Sequence, residues 1–199
     1  MSYDQTLTRV ETYFDQTATK TWERLTSDAP VSKIRETVRQ GRDQMRATLL
    51  AEMPEDLHGA RVLDAGCGAG PTTVELAARG AHVVAIDISP ALIDIARQRL
   101  PRALYKQVEF CSGDMLAASL GYFDYVVAMD SLIYYSADDI KTALTGLAKR
   151  TSGSVLFTVA PRTRMLMAMW YAGKLFPRSD RSPVMVPHAP AALAALLQG

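Results

Sequence analysis

The residues best suited to chemistry are glycines and acids placed at turns. The stretch "DAGCGAGP" spans residues 64–71 and directly follows the apolar run "RVL". It holds Asp64, Gly66, Cys67, Gly68 and Gly70. Glycines without side chains let a loop backbone approach a ligand closely. Three more acids, Asp87, Asp114 and Asp130, each follow a later apolar run. One such acid alone reads as a helix N-cap; four at successive strand ends are harder to dismiss as caps. A nicotinamide fingerprint, GxGxxG, needs its third glycine where this chain has Pro71. A Walker loop needs a Gly-Lys-Ser/Thr ending, which is absent. A pyrophosphate-binding loop is therefore poorly supported, and a nicotinamide oxidoreductase is the weakest of the readings.

The pattern around these residues sets the scaffold that carries them. "RVLDAG", "HVVAID", "QVEFCSGD", "FDYVVAMD" and "SVLFTVAP" read as five strands. "TTVELAARG" is a helix closed by Gly80. "SPALIDIARQRL" opens with Ser89 as N-cap and Pro90 at the first helical position. "SADDIKTALTGLAKRT" opens on a capping box from Ser136 to Asp139. Strands alternating with helices predict a doubly wound, parallel sheet. In such a sheet ligands bind beyond the carboxyl ends of the strands.

Residues 1–58 read as helices that precede the core at 59–161. Leu7, Val10 and Phe14 fall at helical spacing. Farther on, Ile34, Val38, Met45 and Leu49 mark one helical face, and Arg35, Arg39, Arg42 and Arg46 another. The arginine stripe reads as a solvated face, with a docking surface as the sharper alternative. Residues 162–199 form a third region. It begins with an apolar stretch, "MLMAMWYAGKLF", and continues into the proline-rich "PRSDRSPVMVPHAP". The first is a core-packing helix or a cover over a ligand; the second is not expected to be regular.

Composition excludes several classes. The chain has 199 residues and is 48% apolar, enough for a sizeable core. A net charge of +1 gives no global pull toward nucleic acid. Two cysteines, with no CxxC, argue for a reducing cytoplasmic setting and against structural zinc. No run approaches the roughly 20 apolar residues of a membrane span.

"VLDAGCGAGPTTVELAARGAHVVAIDIS" resembles the first motifs of class I S-adenosylmethionine-dependent methyltransferases. The resemblance implies an α/β, Rossmann-like fold with helices on both faces of the sheet and an N-terminal helical lid. S-adenosyl-L-methionine would be the cofactor and S-adenosyl-L-homocysteine its product. Asp64 would address the ammonium, Asp87 the ribose hydroxyls and Asp114 the adenine amine. Ile88 would pack on the adenine, Met115 would contribute a backbone contact, and Asp130 would face the transferring methyl. The family's antiparallel hairpin after the fifth strand has no counterpart in "APAALAALLQG", so the chain is a truncated form or its sheet edge is built otherwise.

Outside the core, three stretches are similar to the magnesium-protoporphyrin IX O-methyltransferases of chlorophyll and bacteriochlorophyll synthesis. They are "VETYFDQTATKTWERLTSDAPVSKIRETVRQGRDQMRATLL", "FDYVVAMDSLIYY" and "FTVAPRTRMLMAMWYAGKLFPRSDRSP". The resemblance implies esterification of one porphyrin propionate, with magnesium present only as part of the substrate. It points to Tyr13 and Tyr134 as catalytic, although related sequences often carry histidine at the latter position. Arg162, Arg164, Trp170, Arg178 and Arg181 would hold the macrocycle, and His188 could ligate its magnesium axially. The porphyrin-binding subunit of magnesium chelatase is an implied partner, and peripheral association with the photosynthetic membrane stays open. Other substrates of the same fold, a quinone or a small acid, and a non-catalytic porphyrin- or cofactor-binding protein are the alternatives.

Overall fold

The computed structural model describes residues 3–14, 33–162, 167 and 185–198. Among the described residues, helices α1 (Tyr3–Tyr13) and α2 (Lys33–Ala51) come first. Strands and helices then alternate: β1 (Arg61–Ala65), α3 (Pro71–Ala78), β2 (His82–Asp87), α4 (Pro90–Arg99), β3 (Val108–Ser112), β4 (Tyr125–Ala128), α5 (Ala137–Ala148) and β5 (Val155–Phe157). A last helix, α6, spans Pro190–Gln198.

The five strands form one parallel sheet in the order β3-β2-β1-β4-β5. The chain moves outward from β1 to β3, then returns to the other side of β1 with β4. The crevice at the carboxyl ends of β1 and β4 is thus the switch point of the sheet. Successive residues of each strand face opposite sides, and both sides are buried, as parallel sheets require. Leu63, Val84, Ile86 and Val126 pack with Ile140, Leu144 and Leu147 of α5 and Leu193 of α6. Val62, Val83, Ala85 and Val127 pack with Leu76 of α3, Ile93 of α4 and Leu50 of α2. Each fully buried leucine or isoleucine here contributes about 1.5–3 kcal/mol.

The caps sit where the sequence puts them. Ser89 Oγ accepts the N–H of Leu92, and Ser136 Oγ accepts that of Asp139. The apolar face of α2 differs from expectation: Val38 is 46% exposed, while Leu50 is the fully buried anchor. Among the described side chains of α2, Leu49 and Leu50 at its C-terminal end pack on the core, so the expected face holds at Leu49 and fails at Val38. The region after β5 also differs. Among the described residues no antiparallel strand follows it. Instead the segment around His188 makes a parallel bridge with Pro161: His188 N–H donates to the Ala160 carbonyl and Arg162 N–H to the His188 carbonyl, both at 2.8 Å.

Candidate active site

A cleft of about 980 Å³, part of it open to solvent, lies at the switch point. The loop after β1 forms its floor, and Leu7, Val10 and Phe14 of the N-terminal helical segment close one side. The helical spacing of those three residues therefore serves the cleft rather than a separate core.

The three loop glycines all have left-handed backbone, with φ of 80° at Gly66, 55° at Gly68 and 85° at Gly70. Their uses differ. A Cβ on Gly68 would meet no atom within 4 Å, so a side chain there would enter the space a ligand needs. A Cβ on Gly66 would collide with Ser131, and one on Gly70 would lie 3.1 Å from the Ala96 Cβ of α4. Gly66 and Gly68 line the cleft, whereas Gly70 does not; it is the N-cap of α3 and lets that helix pack against α4. Cys67 lines the cleft, and burial together with Asp64 and Asp87 pushes its thiol well up, keeping it protonated.

The acids sit at strand ends as expected, each held differently. Asp87 Oδ2 accepts the Gly68 N–H at 2.8 Å, and Oδ1 accepts the Ser89 N–H at 2.9 Å. The carboxylate thus joins the end of β2 to the loop while lining the cleft. Asp64 is buried beneath the loop, where Oδ2 accepts the Thr73 hydroxyl at 2.5 Å. Burial raises its carboxyl to about 7, against the opposing pull of the Thr73 hydrogen bond. Asp114 Oδ1 accepts the Tyr3 hydroxyl at 2.8 Å and the Leu116 N–H at 2.9 Å. Its neighbours Gly113 and Met115 line the cleft, as does Ile88. The Arg150 guanidinium donates to the carbonyls of Met115 and Ala117, fixing this loop from behind.

Asp130 takes a left-handed φ of 58°, unusual for a residue with a side chain. Its N–H donates to Thr158 Oγ1 at 2.8 Å, and its Oδ2 lies 3.3 Å from Arg42 Nη1. Tyr134 stands beside this pair. Burial, then Tyr13 and Asp130, push its hydroxyl up to about 12, with Arg42 opposing. Tyr13 reaches the group through Phe14: its ring meets Phe14 edge-on at 5.2 Å, and Phe14 meets Tyr134 edge-on at 6.2 Å.

The solvated-face reading of the arginine stripe fails at Arg42 and Arg46. Both line the cleft, with side chains 22% and 14% exposed. Arg46 pairs with Asp43 and Glu75, Arg42 with Asp130. Charge alone could not reveal this, because the carboxylates that turn these arginines inward come mostly from distant elements. Tyr3, Thr73 and Ser131 also escape a sequence reading. Ser131 lines the cleft, and its Oγ is buried with no hydrogen-bond partner among the described residues.

His188 is not placed to ligate a porphyrin magnesium. It is buried, and its Nε2 lies 3.0 Å from the Tyr135 carbonyl oxygen. Arg162 is exposed on the bridge after β5. Arg164, Trp170, Arg178 and Arg181 lie outside the described residues.

Comparison with known proteins places this site in context. A family model for the C-terminus of magnesium-protoporphyrin IX methyltransferase matches residues 128–199, and one for a methyltransferase domain matches 62–152. The magnesium-protoporphyrin O-methyltransferase of Rhodobacter capsulatus is 64% identical over 188 residues, 94% of this chain and 84% of that protein. Its counterpart from Synechocystis is 30% identical over 96% of this chain and 84% of that one. The crystal structure of magnesium protoporphyrin IX methyltransferase from Synechocystis with bound SAH superposes with a TM-score of 0.80. It is 29% identical and covers 96% of this chain and 87% of that one.

Proposed function

This chain belongs to the family of magnesium-protoporphyrin O-methyltransferases, and from that premise we propose how its cleft esterifies one propionate of magnesium protoporphyrin IX. The observation that carries the reading is the convergence of Gly68, Asp64, Asp87, Asp130 and Tyr134 on one cleft at the switch point. The open space over Gly68 fits the S-adenosylmethionine on which this family depends. When bound, that molecule supplies an electrophilic methyl, which a carboxylate oxygen accepts as the sulfur–carbon bond breaks with its electron pair staying on sulfur.

The chain's own residues then bind, orient and exclude water. Asp87 has both oxygens anchored by backbone N–H groups, which hold the carboxylate in place to accept two ribose hydroxyls. Oδ1 of Asp114 is taken by Tyr3 and Leu116, which leaves Oδ2 for the adenine amine. Ile88 and Met115, which line the cleft, would flank that ring, Asp64 would face the ammonium, and Asp130 would sit toward the methyl.

A propionate has a pKa near 4.3 and is ionised at neutral pH, so no general base is required. Tyr134 suits this chemistry. With its hydroxyl raised to about 12 it stays protonated, a hydrogen-bond donor that orients a carboxylate. Phe14 and α1 shield the reacting atoms from water, and Tyr13 supports the ring cluster. For the macrocycle, Arg164, Trp170, Arg178 and Arg181 would supply cations and an aromatic face. A flat apolar substrate is better passed between proteins or held at a bilayer surface than released into water. That favours delivery by the porphyrin-binding subunit of magnesium chelatase and peripheral membrane contact. No helix among the described residues is long and apolar enough to cross a membrane.

The test is mass spectrometry of isotope-labelled methyl transfer to magnesium protoporphyrin, to metal-free protoporphyrin and to a quinone. The magnesium porphyrin should become a monomethyl ester fastest. A quinone product with no porphyrin ester would overturn the reading.

A further inference from the structure

The first helix reaches the acid just beyond β3 from far along the chain. Tyr3, Leu7, Val10 and Phe14 recur at helical spacing and share one face of that segment. Leu7, Val10 and Phe14 line the cleft. Tyr3, at the start of the same face, donates its hydroxyl to Asp114 Oδ1 at 2.8 Å. Its ring stacks on that of Tyr135, with centroids 4.9 Å apart and planes 26° from parallel. Tyr135 is buried and lines the cleft, so the stacking fixes where the Tyr3 hydroxyl points. Burial, then Tyr135 and Asp114, push that hydroxyl up, and it stays a proton donor.

Asp114 already has a local partner. Oδ1 accepts the Leu116 N–H at 2.9 Å, the bond by which an aspartate closes a turn on the backbone two residues ahead. The turn needs no second donor, yet Tyr3 supplies one from 111 residues away. Both donors take the same oxygen, which leaves Oδ2 to a ligand. Gly113 and Met115, on either side of Asp114, line the cleft. One hydrogen bond lets a carboxylate pivot about it; two from different directions fix its plane. A carboxylate fixed in this way rewards a ligand N–H and penalises a ligand without one, because its oxygen is then desolvated and unpaired.

We infer that Tyr3 is a positioning residue for recognition of the cofactor's base: it aims Asp114 Oδ2 at the exocyclic amine of adenine and so sets the preference for a 6-aminopurine. The inference rests on the role of Asp114 proposed above and is independent of the methyl acceptor.

Calorimetry on the full chain tests it by comparing S-adenosylhomocysteine with its purine analogue that lacks the 6-amino group. The preference is the ratio of the two affinities, so a change that merely loosens α1 cancels from it. Wild type should prefer S-adenosylhomocysteine. Tyr3→Phe keeps the ring and its stacking on Tyr135 and removes only the hydroxyl. It should weaken S-adenosylhomocysteine by roughly 3- to 10-fold, the range of one hydrogen bond, and leave the analogue unchanged. Asp114→Asn replaces the carboxylate with an amide whose NH2 opposes the amine, and should lower the preference by roughly 10- to 100-fold. Adding Tyr3→Phe to Asp114→Asn should lower it no further, since no carboxylate is left to aim. If Tyr3→Phe weakens both ligands equally or neither, Tyr3 only seats α1 on the core and the inference is overturned. Additive losses in the double variant overturn it as well. No preference in wild type, or a full one in Asp114→Asn, would sink the proposed role of Asp114 and the inference with it. A preference lost in Asp114→Asn but kept in Tyr3→Phe sinks the inference alone.

Discussion

Carboxylates stand at both ends of the sheet, and at both they accept backbone N–H groups. At the amino ends, Asp124 accepts the Arg61 N–H at 2.8 Å and the Ser152 hydroxyl at 3.0 Å, beside a second recess. Asp56 pairs with His58 in the same recess, with both side chains about 80% exposed. At the carboxyl ends, Asp64 and Asp87 are buried to 1% and 8% exposure yet line a cleft. Hydrogen bonding to a turn is therefore common to both ends and marks neither as a site. What separates them is a desolvated acid facing enclosed space, where each interaction with a ligand is stronger than in water.

Gly68 should give the strongest response at the carboxyl ends. Gly68→Val forces a branched side chain into left-handed backbone, at roughly 1–2 kcal/mol of stability. It also fills the open space over the loop. Cofactor binding should fall below calorimetric detection while the variant still melts cooperatively. Normal binding would reduce the loop to an ordinary turn.

A matched pair comes next. Asp87→Ala should weaken S-adenosylhomocysteine by about 2–5 kcal/mol, from two charge-assisted hydrogen bonds that are not fully additive. Asp124→Ala, at the other end, should lower stability by about 1–2 kcal/mol and leave the affinity unchanged. Equal losses of affinity in the two variants would erase the distinction between the ends.

The third effect depends on pH. Burial raises Asp64 from its ordinary value of 3.8 to about 7. A carboxyl raised by folding contributes stability that is fully present below about 4 and is lost as pH rises through about 7. Asp64→Asn cannot ionise. Its stability advantage over wild type should therefore grow between pH 4 and 7 and then level off, at no more than on the order of 4 kcal/mol. Denaturant midpoints across that range would reveal it. A difference that stays flat with pH would mean Asp64 is not desolvated beneath the loop.

The sheet was legible because its strands are short apolar runs ending in Gly, Asp or Pro, a signal carried by neighbouring residues. Ser89 and Ser136 were readable as caps for the same reason. The site was legible where a motif is local, as in the loop, and where an acid closes a strand. It was hidden where a partner lies far along the chain. Nothing near Arg42 points to Asp130, and nothing near Tyr3 points to Asp114. His188 looked available in an irregular, proline-rich stretch, but the bridge to Pro161 buries it. Val38 is exposed and Leu50 buried because periodicity locates a face without saying how much of a helix is covered.

The weakest mutational effect concerns the reaction itself, in which the cleft aligns an ionised carboxylate without moving a proton. Single-turnover rates of methyl transfer at saturating cofactor decide this, measured between pH 6 and 9 in wild type and Tyr134→Phe. The propionate is ionised throughout that range. The Tyr134 hydroxyl, raised to about 12, does not titrate there. Asp64, raised to about 7 by burial, would be held ionised by the ammonium of saturating cofactor, so wild type should show no acid limb. The variant should lose no more than about tenfold, the worth of one hydrogen bond near 1 kcal/mol, with the same flat profile. A loss of about a thousandfold, with a limb appearing near neutrality, would contradict alignment alone, because a proton would then be moving in the step that limits the reaction.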